Sequence, residues 1–244
     1  MQKHNFRAFI CMFLLLAAGT YLAATIASAD EFDKPTIRKV WTWDDPDKDD
    51  EWSLTEEPGW FRFKVGGLED TWNGVRGDMP MLLQPSPIGD YSMETHVKID
   101  EQNDNTYGCL VVWQDGNNWI HLELIRNDGD GRDGAHAEHW PGGVRHAKVK
   151  VEPDELYLRI ERKGDDWNLF YKLKEEDDWE FLDKVTLKIN DPHQVGIGAK
   201  TWGGPDGPLV ADFDYFRCPE LGEVQAVEPD SKLTVTWAKI KVAY

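Results

Sequence analysis

The chain after residue 29 consists of short runs in which apolar and polar residues alternate, and helical periodicity is hard to find. Such alternation places every second side chain on the same side of a strand. Clusters of Gly, Pro, Asp and Asn separate the runs, as is typical of turns. The runs are residues 60–65, 91–99, 107–113, 119–125, 134–140, 156–161, 167–173, 179–185, 195–200 and 210–217. Ten or more strands predict an all-β domain of two packed sheets.

One predicted strand, residues 119–125, carries polar chemistry on its non-core side. Three apolar residues that suit a core alternate there with Trp119, His121 and Glu123. We predict that residues 91–99, 107–113, 119–125 and 134–140 form a meander on one sheet. Its non-core side would include Glu94, His96, Trp113, Trp119, His121, Glu123, His136, Glu138 and Trp140. Exposed aromatic patches usually mark contact surfaces, so this side predicts a binding surface.

Several stretches in order resemble a known family. WSLTEEPGWFRF resembles the opening of the C-terminal sandwich module of family-43 β-xylosidases. GDYSMETHVKI, YGCLVVWQDGNNWIHLEL, LYLRIERKGDDWNLFYKLKEEDDWEFL and VADFDYFR follow in the order expected of that module. The same stretches resemble a bacterial domain family of unknown function that is named after a supposed regulator of enolase. Both families belong to the concanavalin A-like lectin/glucanase superfamily.

The resemblance covers residues 41–218 and implies a two-sheet jelly-roll sandwich with one concave sheet. In the xylosidases this module is an accessory to a separate propeller domain that supplies the active site. The resemblance covers the sandwich alone, so it implies an accessory role and leaves the function of this chain open.

Carbohydrate binding is the leading functional hypothesis. Indoles can stack on the C–H faces of sugars, while carboxylates and imidazoles hydrogen-bond to the hydroxyls. The predicted ligand-binding residues are Trp113, Trp119, His121, Glu123, Glu138 and Trp140, with Trp72 and Trp202 from two Gly-rich loops. Covering about 60 Å² of a ring face contributes roughly 1.5 kcal/mol, so two or three indoles predict roughly millimolar affinity. The alternative is that these tryptophans fill the core or cover a sheet edge.

Catalysis is not the leading hypothesis. Catalytic superfamily members such as the family-16 glucanases resemble one another in a strand with Glu-x-Asp-x-x-Glu or Glu-x-Asp-x-Glu, and neither form occurs here. The nearest acidic strand has Asp212 and Asp214, with aromatic residues where the glutamates should fall. One alternative is a glycoside hydrolase or polysaccharide lyase that uses Glu123 and Glu138 as paired carboxylates. The other is a structural module that binds a protein partner.

No cofactor is expected except possible calcium. Residues 127–134 read NDGDGRDG and resemble the start of a calcium loop, with Asp128, Asp130 and Asp133 as ligands. The acidic run at residues 44–51 is a second candidate. Zinc is not expected, because His136 and His139 point to opposite faces of a strand.

The N-terminus predicts export. Lys3 and Arg7 precede a largely apolar stretch, and Ala27-Ser28-Ala29 matches a signal-peptide cleavage site, which makes residues 1–29 a signal peptide. An uncleaved membrane anchor is the alternative, since the apolar stretch is long enough to span a bilayer. The location would be secreted, periplasmic or at the cell surface.

The charge of the predicted mature chain narrows its partners. Its 215 residues would carry 25 basic and 45 acidic side chains, a net charge of −20. Such a chain should repel nucleic acid and anionic membranes, because phosphate binding depends on Lys and Arg. Neutral glycans and divalent cations suit it better.

The remaining predictions concern boundaries and cysteines. Residues 30–40 are predicted as a linker, 41–218 as the sandwich, and 219–244 as a linker with a C-terminal strand or tail.

Cys109 and Cys218 form an even pair in an exported chain. A disulfide between them would close a loop of about 110 residues, worth roughly 4–5 kcal/mol. Because Cys109 lies in an apolar run, a buried free thiol is the alternative.

Overall fold

The computed structural model describes residues 29–67, 69–71, 76–100, 106–126, 133–141, 149–150, 154–201 and 209–222. These residues form strands and one short 3-10 helix, Pro219–Gly222. The strands are β1 (Ala29–Asp30), β2 (Thr42–Asp44), β3 (Glu51–Ser53), β4 (Phe61–Val65), β5 (Met81–Pro85), β6 (Tyr91–Asp100), β7 (Thr106–Asp115), β8 (Asn118–Arg126), β9 (Gly134–Trp140), β10 (Val149–Lys150), β11 (Glu155–Lys163), β12 (Asp166–Lys172), β13 (Glu180–Thr186), β14 (Gln194–Thr201) and β15 (Leu209–Arg217). No helix within these ranges has the length and apolar character needed to cross a bilayer.

The strands form two antiparallel sheets. In the first sheet the order is β13-β12-β11-β6-β15-β4-β3, and β1 also pairs with β15. In the second sheet the order is β10-β9-β8-β7-β14-β5-β2. The chain passes repeatedly from one sheet to the other, for example between β6 and β7 and between β14 and β15, which is consistent with a jelly roll. The predicted all-β, two-sheet sandwich is confirmed.

The core lies between the sheets and follows the predicted alternation. In β4, Phe61, Phe63 and Val65 are buried, while the residues between them are partly exposed. β11 repeats this pattern, with its even-numbered residues 156–162 buried. Alternation therefore identifies the core side of β4 and β11 because each of these strands has one face against the core and one towards water.

One predicted strand belongs to the other sheet. β6 pairs with β11 and β15 in the first sheet, so only β7, β8 and β9 of the four predicted strands belong to the meander. Glu94 and His96 therefore lie away from the residues with which they were grouped. The ring of His96 stacks on Tyr157 of the first sheet, with ring centroids 4.0 Å apart. Alternation shows which side of a strand is apolar, but both sheets share one core, so it does not show which sheet a strand joins.

The predicted linker at residues 30–40 is part of the fold. β1 pairs with the end of β15, and Asp30 accepts a 2.8 Å hydrogen bond from the indole of Trp41. Phe32 is buried in the core, with its ring centroid 5.4 Å from that of Phe61. The prediction was wrong because one large apolar residue in a polar segment is enough to anchor it. Residues 223–244 lie outside the described ranges.

The predicted disulfide is absent, because both cysteines are free and buried. Cys218 belongs to the core between the sheets, whereas Cys109 belongs to an apolar group on the other face of the second sheet. Its sulfur lies 3.6 Å from Glu123 Oε1. The two thiols thus lie on opposite sides of a sheet, and the alternative of a buried free Cys109 is the one found.

A buried histidine predicts a loss of stability in mild acid. His193 Nε2 lies 2.7 Å from the Tyr91 hydroxyl, and burial, with Arg162 nearby, lowers the pKa of His193 to about 4. The folded pKa is below the ordinary value, so the unfolded chain binds more protons between about pH 6.5 and 4. The contribution of neutral His193 is therefore fully present above about pH 6.5 and is lost as the pH falls towards 4.

We expect the contribution of His193 to the unfolding free energy to fall between about pH 6.5 and 5, above the ordinary carboxyl pKa values. His193→Gln retains a polar group for Tyr91 but does not titrate, so it should flatten this slope. Urea unfolding followed by tryptophan fluorescence at the two pH values measures the effect. Equal slopes in the two proteins would contradict the assignment to His193.

Candidate functional site

The outer face of the second sheet, which faces away from the core, carries a group of polar side chains at matched register. Glu123 of β8 lies between Cys109 of β7 and His136 of β9, and His121 lies opposite Glu138. Lys200 of β14 lies opposite Tyr107 of β7. We define the polar cluster as Cys109, Trp119, His121, Glu123, His136, Glu138 and Lys200. Its members share one face because residues two apart on a strand point to the same side.

Lys200 joins the two glutamates of the cluster. Its ammonium nitrogen lies 2.5 Å from Glu138 Oε2 and 3.2 Å from Glu123 Oε1. Glu123 Oε2 also lies 2.8 Å from His136 Nδ1. Asp70, which comes from outside the sheet, places a carboxylate oxygen 3.5 Å from the same ammonium group. The cluster is therefore a connected network of opposite charges.

The network is almost completely buried. Glu123 is 0% exposed, Glu138 4% and Lys200 2%. Burial acts to raise the pKa of Glu123, but Lys200 and the two histidines lower it well below the ordinary value. Burial and the neighbouring Glu123 raise the pKa of Glu138. Burial acts to lower the pKa of Lys200, but the two glutamates raise it well above the ordinary value, so Lys200 is charged at neutral pH.

Three polar atoms of the cluster have no hydrogen-bond partner within the described part of the chain. They are both ring nitrogens of His121 and Nε1 of Trp119. The two rings stack with centroids 4.4 Å apart, and His121 Nδ1 is 3.6 Å from Glu123 Oε1, too far for a normal hydrogen bond. Burial lowers the pKa of His121, so the neutral ring has one donor and one acceptor nitrogen. Buried polar atoms without partners are uncommon and suggest a missing partner.

Residues 29–218 match the family described as the beta xylosidase C-terminal concanavalin A-like domain. The chain belongs to this family. Its two-sheet architecture is the C-terminal accessory β-sandwich of GH43 enzymes, and the polar cluster lies on one sheet of that sandwich. The resemblance of the sequence to the xylosidase module is thereby confirmed. Comparison with curated proteins finds no match.

Solved structures show the same fold at low identity. The xylan β-1,4-xylosidase from Bacillus halodurans C-125 matches with a TM-score of 0.62 and 19% identity, over 78% of this chain and 38% of the enzyme. A bifunctional GH43-CE protein from Bacteroides eggerthii matches with a TM-score of 0.65 and 16% identity, over 82% of this chain and 26% of that protein. A functionally unknown protein from Saccharomyces cerevisiae matches with a TM-score of 0.59 and 14% identity, over 73% of this chain and 93% of the yeast protein. The chain thus spans less than two fifths of the xylosidase.

In this xylosidase-type sandwich, Trp113, Trp119 and Trp140 do not form the exposed stacking surface that was expected. Trp119 is 1% exposed and Trp113 is 6% exposed, with the Arg76 guanidinium 5.1 Å from the Trp113 ring. Trp140 is partly buried and packs against the apolar group on the outer face of the second sheet, which includes Trp113 and Trp119. Alternation distinguishes the two faces of a strand, but it does not show whether other parts of the chain cover the outer face. Trp72 and Trp202 lie outside the described residues.

The structure brings His121, Glu123 and Glu138 together as predicted, and it adds Lys200, which the sequence analysis missed. Lys200 lies in β14 among small and apolar residues, and every residue of that strand after Gln194 is buried. A single lysine within a buried strand is the signal that could have identified it, since lysine is rarely buried unless it is paired.

The hydrolase alternative used Glu123 and Glu138 as paired carboxylates. Both are in the cluster, but they are buried and bound to Lys200. A carboxylate held by an ammonium group in this way is poorly placed to exchange a proton with a substrate. On the nearest acidic strand, Asp212 binds Arg62 with two hydrogen bonds of 2.8 Å each on the first sheet.

The predicted metal ligands have different outcomes. Asp128 and Asp130 lie outside the described residues, and Asp133 directly precedes β9, so calcium at residues 127–134 stays a prediction. As predicted, His136 and His139 lie on opposite faces of β9. His136 lies opposite Glu123, whereas His139 lies opposite Ile120 of the core face.

Proposed function

We propose that the protein is an exported, non-catalytic accessory module that binds carbohydrate at the polar cluster. Membership of the GH43 accessory family supports a role near glycans. The observation that carries the proposal is that both ring nitrogens of His121 and the indole nitrogen of Trp119, next to the Lys200–glutamate network, have no hydrogen-bond partner among the described residues. These groups offer donors and acceptors in one place.

A sugar ring matches this set of groups. Each hydroxyl donates one hydrogen bond and accepts others, as the neutral His121 ring requires, and the Trp119 indole can donate to a further oxygen. An unpaired buried polar group costs about 1–3 kcal/mol, so a ligand that pairs three of them gains affinity from each. The cluster residues are at most 4% exposed, so a sugar would reach them only if the covering segments moved aside, and a single terminal ring would need a smaller opening than a long chain.

Export is supported by where the family match begins. The match starts at residue 29, next to the predicted cleavage site. Asp30 and Glu31 then make contacts within the sandwich, with Trp41 and Arg217 respectively. Cleavage before Asp30 would therefore leave these contacts intact.

The related enzyme from Bacillus halodurans suggests which sugar to test first. It is a xylan β-1,4-xylosidase, so xylose and xylo-oligosaccharides are the first ligands for this chain. We expect roughly millimolar affinity, because a ligand the size of one sugar ring has few contacts to make.

The experiment is a titration of ¹⁵N-labelled protein with xylose and xylobiose, followed by NMR. The indole N–H resonance of Trp119 is expected to shift on binding. His121→Phe removes both ring nitrogens but keeps the aromatic stack on Trp119, so it should weaken binding about tenfold or more. His96→Phe is the matched control, because His96 also stacks on an aromatic ring but lies on the first sheet.

Two results would contradict the proposal. One is the absence of any shift of the Trp119 indole resonance with xylose, xylobiose and a panel of other neutral sugars. The other is equal weakening of binding by His121→Phe and His96→Phe, which would place the sugar elsewhere or reflect a general loss of structure.

A further inference from the structure

A second group of ionisable side chains lies at the segment that follows β2. Asp45, Asp47, Asp49 and Asp50 each place one carboxylate oxygen within 4.8 Å of the others. Asp47 also belongs to a second group, with Glu69 and Asp78, whose oxygens satisfy the same limit. Three separate segments of the chain thus bring six carboxylates together around Asp47.

Two of these carboxylates have buried oxygens without partners. Glu69 is 3% exposed, and its Oε2 atom is buried with no hydrogen bond within the described residues. Asp50 Oδ2 is in the same situation, while its Oδ1 accepts a 2.9 Å hydrogen bond from the amide of Gly66. A buried carboxylate oxygen is costly unless a donor or a cation pairs with it. These orphaned oxygens point to a cation, independently of the number of acidic residues.

Among the residues that the structure describes, no basic side chain neutralises the group. Within the described ranges, no lysine or arginine forms an ion pair with any of the six carboxylates, and nearby Arg76 is bound to Asp44 at 2.9 Å. Like charges at such distances repel strongly when partly buried. A bound cation of high charge would remove this repulsion.

We propose that this group is a calcium site in which Asp47, Glu69 and Asp78 bind the ion and the carboxylates of Asp45, Asp49 and Asp50 complete its surroundings. Calcium takes six to eight oxygen ligands at about 2.3–2.6 Å, so the ligand oxygens of one ion lie within about 5 Å of one another. Magnesium requires near-ideal octahedral geometry and usually keeps several waters. Zinc prefers nitrogen and sulfur ligands, which this site lacks in the described residues.

Calcium would join the segment at residues 45–50 to the segments that carry Glu69 and Asp78. The amide of Thr201, at the end of β14, donates a 2.9 Å hydrogen bond to the carbonyl of Glu69. The residues next to this pair, Lys200 and Asp70, place their charged groups 3.5 Å apart at the polar cluster. The ion would therefore fix Glu69 and its neighbours against the second sheet. This role does not depend on whether the cluster binds sugar.

The test uses the purified full chain, stripped of metal with EDTA and dialysed. Calorimetric titration with CaCl₂ is expected to show saturable binding. At about a hundredfold excess over the dissociation constant, Ca²⁺ should raise the melting temperature by about 5–10 °C. Glu69→Gln and Asp47→Asn should each weaken Ca²⁺ binding by at least about tenfold and should reduce the rise in melting temperature accordingly. Asp178→Asn, which removes an exposed acid far along the sequence, is the matched control and should bind as the parent does.

Melting in EDTA shows whether the variants are folded. Glu69→Gln should be at least as stable there as the parent, because it removes a repelled charge. The proposal is overturned if the parent binds no Ca²⁺ at millimolar concentration, or if both variants bind as tightly as the parent. A melting shift of equal size with Mg²⁺ would overturn the assignment to calcium.

Discussion

Replacing Lys200 by methionine is expected to destabilise the fold by about 3–5 kcal/mol, because it leaves two buried carboxylates without their cation. The Lys200 ammonium group contacts both Glu123 and Glu138, and all three side chains are at most 4% exposed. Methionine fills similar volume without charge, so the loss reflects electrostatics more than packing. Urea unfolding at pH 7 followed by tryptophan fluorescence measures the change.

Two variants distinguish this effect from a general loss of packing. Lys200→Met combined with Glu123→Gln and Glu138→Gln should recover most of the loss, since a buried ion network replaced by neutral groups is often no less stable. Lys184→Met removes an exposed lysine that pairs with Asp166 and should change stability little. If the triple variant is no more stable than Lys200→Met alone, the electrostatic explanation is wrong.

The second large effect is expected at Gly196. A Cβ atom added there would lie 2.0 Å from the carbonyl oxygen of Leu82, which belongs to the backbone of neighbouring β5. A backbone atom of a central strand cannot move aside without breaking sheet hydrogen bonds. Gly196→Ala is therefore expected to cost more than about 3 kcal/mol, beyond the usual range for a single substitution.

Gly164→Ala is the control for this prediction. Gly164 has a φ of +62°, but an added Cβ atom would meet nothing within 4 Å. It should therefore cost only about 1–2 kcal/mol, from the backbone conformation alone. Urea unfolding of both variants checks the difference. A cost at Gly196 no larger than at Gly164 would show that β5 and β14 can separate more easily than the structure indicates.

The strands could be predicted from sequence because one face of the first sheet meets water. β4 and β11 alternate between buried and partly exposed residues, and the predicted runs 60–65 and 156–161 match these strands closely. The second sheet was harder to interpret, because it is buried on both faces. In β8, every residue after Asn118 is buried, so Trp119, on the outer face, is as inaccessible as Ile120, on the core face.

The candidate site could be predicted only in part. Alternation along each strand correctly placed His121, Glu123 and Glu138 on one face. Lys200 comes from β14, which joins β7 from more than 80 residues further along the chain. The group around Asp47 likewise depends on Glu69 and Asp78, which approach only in the folded chain. Local patterns carry no information about such pairings.

The crystal structure of the protein with xylose or xylobiose tests the central claim, that the polar cluster is the carbohydrate site, most directly. We predict density for a single sugar ring within hydrogen-bonding distance of the His121 ring and the Trp119 indole nitrogen. A sugar bound only on another surface, with the Lys200–glutamate network closed and unchanged, would contradict that claim.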